Sequence, residues 1–214
     1  ESLFVQQSAL ASDSPEDAVV CAIQTLTGTF LQPNIFCLDS TQKHWFTDLN
    51  ELWRLNIEND IGIVYRLHTP HTIDPDEVIH VWIRPQSPHW DLDVARSEGS
   101  LDLALLLAIQ LAQSRKLPVR LLTTLQSPDE LKVAEEYLDG LVNLGRLPKD
   151  TTALAFVGDI WSSLPQAPRA RIQIFGIPNP TTSENATNFV DRIAAETVGT
   201  SLFVRGVGKE NLLA

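Results

Sequence analysis

The chain has 214 residues and a formal net charge of −11, with a sequence pI near 4.8, so it is long enough to bury a substantial core. Such an acidic balance disfavours binding to nucleic acid or to anionic lipid through a general electrostatic field. Cys21 and Cys37 sit within apolar patterns, and we expect both to be reduced and buried, as in a cytosolic protein.

The first third of the chain alternates strand and helix patterns. SLFVQQ, near the first residue, predicts a short strand, and Ser14 with the acids after Pro15 predicts the start of a helix that ends near Gly28. Apolar runs and helical spacing then predict a strand, a helix and a second strand at 34–39, 47–58 and 61–67. Residues 68–77 hold two prolines and no periodicity, which predicts a linker.

The same rhythm continues after this linker. Residues 78–84 are rich in β-branched and aromatic side chains and predict a strand, and Ser100 is placed to cap a helix from Leu101 to about Arg115. Further helices are predicted at 128–145 and at 183–198, the latter capped by Ser183, with a short helical turn at 159–164. The remaining strands are predicted at 119–125, 152–157, 171–177 and 201–206.

Alternation of this kind predicts an α/β fold. Apolar strands joined by helices of roughly 10–18 residues are typical of βαβ units, in which a mainly parallel sheet is covered by helices on both faces. The stretch LDLALLLAIQLA at 101–112 fits this layout as a buried crossover helix. It is too short to cross a bilayer, which takes roughly 17–25 apolar residues. The first residues also lack the pattern of a signal peptide, so we expect a soluble chain.

No pattern in the sequence predicts a reactive site. There is no P-loop, and Gly206-Val207-Gly208 lacks the third glycine and the following helix of a dinucleotide fingerprint. No GxSxG elbow is present, and neither cysteine has a neighbouring histidine. The histidines lie among acids, but their spacing fixes no common face, so we interpret them as surface or loop residues rather than metal ligands: His68, His71, His80 and His89. We therefore expect no catalytic, cofactor-binding or metal site, and no enzyme.

Tryptophans are the remaining candidates for a functional surface, because they anchor cores and interfaces. Trp90, in SPHWDL between a predicted strand and a predicted helix, is the one that we place at a junction or a partner surface. Trp82 and Trp45 are two further candidates for an interface or a junction.

Several segments together resemble the cytosolic C-terminal domain of prokaryotic cation-chloride cotransporters. In TLTGTFLQPNIFCLDSTQKHW, the tripeptide Gln32-Pro33-Asn34 precedes an apolar strand and Trp45, as a Lys-Pro-Asn-like tripeptide does in that family. A strand with a tryptophan, a loop and a leucine-rich helix follow in VIHVWIRPQSPHWDLDVARSEGSLDLALLLAIQLA, including the acid Asp102 just inside the helix. The end, SLFVRGVGKENLLA, is similar through Val204-Arg205-Gly206 and Gly208. The matches keep their order from about residue 25 to 210.

This resemblance implies two α/β subdomains, 1–75 and 76–214, with mainly parallel sheets flanked by helices and related to the universal stress protein fold. It implies a non-catalytic regulatory and dimerisation domain of a secondary active cotransporter that moves chloride with sodium or potassium. The partners would be a second copy and the transmembrane transport domain of the same protein, which this chain does not contain. The domain would then lie on the cytoplasmic side of the membrane, without nucleic acid or direct lipid binding and without a cofactor.

A soluble nucleotide-binding domain similar to universal stress proteins is the alternative. Its support is the βαβ rhythm, which hosts many functions. The glycine pattern that would hold a triphosphate is not present in the sequence.

Overall fold

The computed structural model describes residues 13–27, 34–40, 49–69, 76–91, 100–178 and 185–207. Within these ranges, no helix is long and apolar enough to cross a membrane. The predicted strand SLFVQQ, most of the predicted linker and Trp45 lie outside them. The helices are α1 (Pro15–Thr27), α2 (Leu49–Asn59), α3 (Leu101–Arg115), α4 (Leu131–Leu144), α5 (Ile160–Ser163) and α6 (Ala186–Glu196). The strands are β1 (Ile35–Ser40), β2 (Gly62–Thr69), β3 (Ile79–Trp82), β4 (Val119–Leu125), β5 (Thr152–Val157), β6 (Ile172–Gly176) and β7 (Gly199–Arg205).

Local capping explains where several helices begin. The Ser14 hydroxyl accepts a hydrogen bond from the Asp17 amide at 3.3 Å, which confirms the predicted start of α1. Helix α6 begins at Ala186, because Asn185 Oδ1 accepts from the amide of Thr187 at 2.8 Å. The prediction of a helix from Ser183 was wrong at this end, since Asn185 lies at the cap position.

The helix predicted at 128–145 is divided into two elements. Residues Pro128–Glu130 form a 3₁₀ turn, and α4 follows from Leu131. The turn is fixed by the Ser127 hydroxyl, which accepts a hydrogen bond from the Asp129 amide at 3.3 Å. A capped proline turn can open a helix with the tighter 3₁₀ geometry, which the sequence pattern alone does not distinguish.

All seven described strands form one sheet with the order β1-β2-β7-β6-β3-β4-β5. Every neighbouring pair is parallel except β2 and β7, which run antiparallel with Tyr65 opposite Phe203. The α/β fold with mainly parallel strands and flanking helices is confirmed. The expectation of a separate sheet in each half was wrong, because the β2–β7 pair joins strands from both halves.

The predicted linker also begins later than expected. His68 and Thr69 belong to β2, where they pair with Thr200 and Gly199 of β7. Strand β2 therefore continues into the segment that was predicted as a linker because of its two prolines. The division into subdomains at residue 75 stays a prediction.

Each face of the sheet carries its own hydrophobic core. Helices α3 and α4 cover one face, where Leu103, Leu105 and Leu138 are fully buried. The other core contains side chains from α1, α2 and α6, together with aromatic side chains of the sheet. Within it, Phe203 of β7 stacks on Phe175 of β6 at 5.6 Å and lies 6.4 Å from Tyr65 of β2. This second core therefore draws on both halves of the chain.

Helix α3 confirms the interpretation of the leucine-rich stretch as a buried crossover helix. It runs from Leu101 to Arg115 and has buried side chains near both ends, from Asp102 to Ala112. Gln110 is exposed, so the helix has a solvent side despite its apolar sequence. Ser100 lies at the predicted cap position, although its side chain makes no capping hydrogen bond.

Both cysteine thiols are free and exposed, which corrects the prediction that they are buried. The buried side of α1 carries Val19 and Ile23, and Cys21 lies between them on the outer side. Cys37 lies in β1, which pairs with β2 alone among the described strands. Apolar neighbours in the sequence predicted that both cysteines are buried. Cys21 instead lies on the outer side of its helix, and Cys37 lies in a strand that has one described neighbour.

We expect Phe203→Ala to destabilise the chain by about 3–5 kcal/mol, because it leaves a cavity where β2, β6 and β7 meet. Val133→Ala, at a half-exposed position on α4, is the control and should change the unfolding free energy by less than about 0.5 kcal/mol. Urea unfolding followed by circular dichroism measures both. A loss below about 1 kcal/mol for Phe203→Ala would show that this contact is not central to the core.

Candidate functional site

The sheet has a topological switch point between β3 and β6. The five strands of the second half follow the order β5-β4-β3-β6-β7, and the chain leaves β3 toward α3 on one face but leaves β6 toward α6 on the other. In open α/β sheets, ligands bind outside the carboxyl ends of the strands at such a point. A small-molecule site is therefore expected at this point of the sheet if the fold has one.

Side chains close this point in the described part of the chain. A Cβ added to Gly176, the last residue of β6, would lie 3.2 Å from Cβ of Ser100, so the two segments already touch. Asp102 is buried in the first turn of α3, where its carboxylate complements the positive end of the helix dipole. A phosphate bound there would lie beside this acidic side chain, so the described residues give a nucleotide no support.

A hydrogen bond from Arg205 connects the end of β7 to the segment after β6. Its guanidinium is largely buried and donates a hydrogen bond through Nη1 to the Ile177 carbonyl oxygen at 3.3 Å. Arg205 belongs to the Val204-Arg205-Gly206 tripeptide, which is part of the resemblance to the cotransporter family. Its contact gives that tripeptide a structural role at the carboxyl edge of the sheet.

Trp82, predicted as an interface or junction residue, lies inside the second core. Its ring stacks between Phe156 and Phe175, with centroids 6.1 Å from each. The indole N–H donates to Gln173 Oε1 at 3.1 Å, so its polar atom is satisfied within the chain. The predicted interface role of Trp82 stays a prediction, as does that of Trp45.

Trp90 lies where the segment after β3 meets α4. Its side chain is only 6% exposed, and its ring packs edge-on against Tyr137 at 5.6 Å. The indole N–H donates to Glu130 Oε2 at 2.9 Å, which ties it to the 3₁₀ turn that precedes α4. The indole thus links three segments of the same chain, and a contact with a partner stays a prediction.

A row of polar side chains crosses the sheet toward the amino ends of β3, β4 and β6. His80 of β3 lies opposite Arg120 of β4 and Gln173 of β6 in the strand register. Arg120 Nη1 is 3.5 Å from His80 Nε2, and its Nε donates to Thr152 Oγ1 at 3.3 Å. His80 itself is fully buried. Its interpretation as a surface or loop histidine was therefore wrong.

The other described histidines differ from His80. His68 is exposed on β2, with Nδ1 3.3 Å from Thr200 Oγ1, and His89 is exposed in a turn. His71 lies outside the described residues. Within the described ranges, no group of three or more His, Cys, Asp or Glu side chains could hold a metal ion.

Strand β5 carries two of the exposed large apolar side chains of the described residues. Strand β5 pairs with β4 on one side, and no other described strand pairs with its outer side. Leu154 and Val157 of this strand are 38% and 52% exposed. Just beyond, Trp161 is partly buried, with the Arg192 guanidinium 3.8 Å from its ring centroid. Sequence reasoning predicted this strand but could not predict that it has a single neighbour among the described strands.

Two family models match the chain one after the other. Residues 1–72 match the model described as prokaryotic cation-chloride cotransporter, C-terminal domain, 1st. Residues 75–213 match the model described as prokaryotic cation-chloride cotransporter, C-terminal domain, 2nd. No curated protein sequence matches the chain.

Solved structures include two similar folds. The cytoplasmic domain of a prokaryotic cation chloride cotransporter aligns with a TM-score of 0.74 at 23% sequence identity, over 92% of this chain and 73% of that one. At this identity the likeness shows a shared fold. A putative universal stress protein from Pseudomonas aeruginosa UCBPP-PA14 aligns with a TM-score of 0.46 at 11% identity, over 84% and 65% of the two chains, which is too weak to carry an argument.

Protonation of His80 should make stability depend on pH. Burial, with the Arg120 guanidinium beside it, lowers the pKa of His80 from 6.5 to about 4. Between these values the unfolded chain binds a proton that the folded chain does not, so the unfolding free energy falls as pH decreases. The stability that comes from keeping the buried imidazole neutral is present above pH 6.5. About 2 kcal/mol of unfolding free energy is lost between pH 7 and pH 5.

Urea unfolding at pH 7, 6 and 5 measures this effect. His80→Gln should remove that part of the pH dependence, whereas His89→Gln, at an exposed turn, is the matched control and should keep it. Equal pH dependence in the wild type and His80→Gln would contradict the assignment.

Proposed function

The chain belongs to the prokaryotic cation-chloride cotransporter family, as its C-terminal domain, and we propose that it serves there as a non-catalytic regulatory and dimerisation domain. The cotransporter would be a secondary active symporter of chloride with a cation. The ion pathway would lie in its transmembrane domain, outside this chain. The domain would face the cytoplasm, with a second copy and its own transmembrane domain as partners.

The observation that carries the proposal is the consecutive match of both family models along nearly the whole chain. The two models meet between residues 72 and 75, where we also place the boundary between subdomains. Strands from both sides of this boundary share one sheet through the β2–β7 pair. A domain joined in this way can respond as one body, which supports a role in passing packing changes to a membrane domain.

The charge of the chain also supports a protein partner rather than a lipid surface. A net charge of −11 opposes approach to anionic headgroups and to nucleic acid. The buried polar residues at the switch point, Asp102 and Arg205, occupy structural positions, which supports a scaffold more than an enzyme. The same closed switch point gives the nucleotide-binding alternative no support from the described residues.

We expect the 214-residue chain to be a dimer in solution. Light scattering during gel filtration should give a mass near twice the chain mass of 23.8 kDa at tens of micromolar, decreasing on dilution if the contact is weak. ATP and AMP serve as controls and should leave the melting temperature unchanged. A strict monomer at high concentration would contradict the dimerisation role. Stabilisation by about 2.7 kcal/mol at 100 times a nucleotide's Kd would instead favour the alternative.

A further inference from the structure

Trp90 holds a backbone conformation that its bulky side chain disfavours. Its φ is 47°, in the left-handed region where large residues are rarely found. The other described non-glycine residues with positive φ are Asp60, Lys116 and Arg146, and each lies within two residues after the end of a helix. Left-handed residues are common at that position. Trp90 follows a turn instead, so the cause of its conformation lies in its contacts.

Residues 84–91, which we call the strap, follow β3 and are mostly exposed to solvent. Trp90 is the one buried residue among them, and its side chain belongs to the core under α3 and α4. The amides of His89 and Trp90 both donate to the Gln86 carbonyl oxygen, at 3.0 and 2.8 Å. These bonds lie within the strap and do not join it to the sheet. Trp90 is therefore the anchor of the strap in the hydrophobic core.

The indole of Trp90 holds the strap across the ends of two neighbouring strands. The strap starts at the carboxyl end of β3, whereas the indole N–H donates to Glu130 Oε2, at 2.9 Å, in the 3₁₀ turn that follows β4. The ring packs edge-on against Tyr137 of α4 at 5.6 Å. A strained residue persists only where its surroundings hold it, and these two contacts hold Trp90.

The base of the strap is fixed to the sheet. The Ile83 amide donates to the Leu122 carbonyl oxygen at 2.7 Å, and the Ile83 carbonyl oxygen accepts from Thr123 Oγ1 at 3.0 Å. Both partners belong to β4. Release of Trp90 would therefore move the strap about residue 84 and leave β3 paired with β4.

We infer that the strap is a conformational switch, which opens by release of Trp90 from Glu130 and Tyr137 while the sheet stays folded. In the closed state the two contacts keep Trp90 in the left-handed region. In the open state its φ relaxes to negative values, and the Tyr137 ring becomes exposed. Because strain raises the free energy of the closed state alone, the open state lies closer to it than it would for an unstrained segment.

The switch gives the proposed regulatory domain two states, and this consequence rests on the function proposed above. Opening separates the carboxyl end of β3 from the 3₁₀ turn and from α4, because Glu130 and Tyr137 are the groups that Trp90 joins to it. All of these contacts lie within one chain. The opening itself therefore does not depend on dimerisation.

Hydrogen exchange in the folded 214-residue chain tests the switch. After correction for intrinsic rates, the amides of His89 and Trp90 should exchange about 100-fold or more faster than the Val81 amide of β3, because the strap opens without unfolding the sheet. Low concentrations of urea should leave the strap rates unchanged, since local opening exposes little surface. The Val81 rate should increase with urea, because that amide exchanges when the chain unfolds.

Variants of the indole contact separate the switch from general stability. Glu130→Ala removes the acceptor of the indole N–H and should speed exchange of the strap amides about tenfold, with the Val81 rate within about threefold of the wild type. Trp90→Phe keeps a ring but removes the N–H and should act in the same direction. The double variant should add little to either, because both remove one bond. Glu135→Ala, at an exposed position on α4, is the matched control and should change neither rate.

Two results would overturn the switch. Strap amides that exchange as slowly as Val81, with the same dependence on urea, would show that the strap opens only when the chain unfolds. Equal acceleration of the strap and Val81 amides in Glu130→Ala would show that the Trp90 contact serves stability alone. Either result would leave the proposed dimerisation role standing, whereas a monomeric chain with a strap that opens would overturn that role and leave the switch.

Discussion

The antiparallel pair of β2 and β7 is the contact on which the rest of the structure depends. It is the one antiparallel pair among the described strands, and it joins the last strand of the chain to a strand from the first third. Its pairing runs from Ile63 opposite Arg205 to Thr69 opposite Gly199. Because the aromatic side chains of Tyr65 and Phe203 meet across it, the second core includes both halves of the chain.

The same pair decides the order of the described strands. Parallel βαβ units in the second half place β5 at one side, and the β2–β7 pair places the first two strands at the other. Edge strands are where sheets from separate chains can pair. Within the described residues, the topology that joins the two halves thus leaves β1 and β5 each with a single neighbouring strand.

Much of the local structure could be predicted from the sequence. The helix at 101–115 and the strands at 119–125 and 152–157 were predicted with the observed bounds, because caps, apolar runs and breakers lie close together there. The joining of both halves into one sheet could not be predicted, since the pairing of β2 with β7 links residues far apart in sequence. Burial of His80 followed from strand order, which places β3 between β4 and β6. The positions of Trp82 and Trp90 inside the chain depend on the same long-range packing.

Differential scanning calorimetry at low chain concentration tests most directly whether the β2–β7 pair makes the two halves one cooperative unit. The structure predicts a single transition in which the calorimetric and van't Hoff enthalpies agree, because unfolding either half would expose the core that they share. Two resolved transitions, or a calorimetric enthalpy about twice the van't Hoff value, would show that the halves unfold independently and would contradict this account.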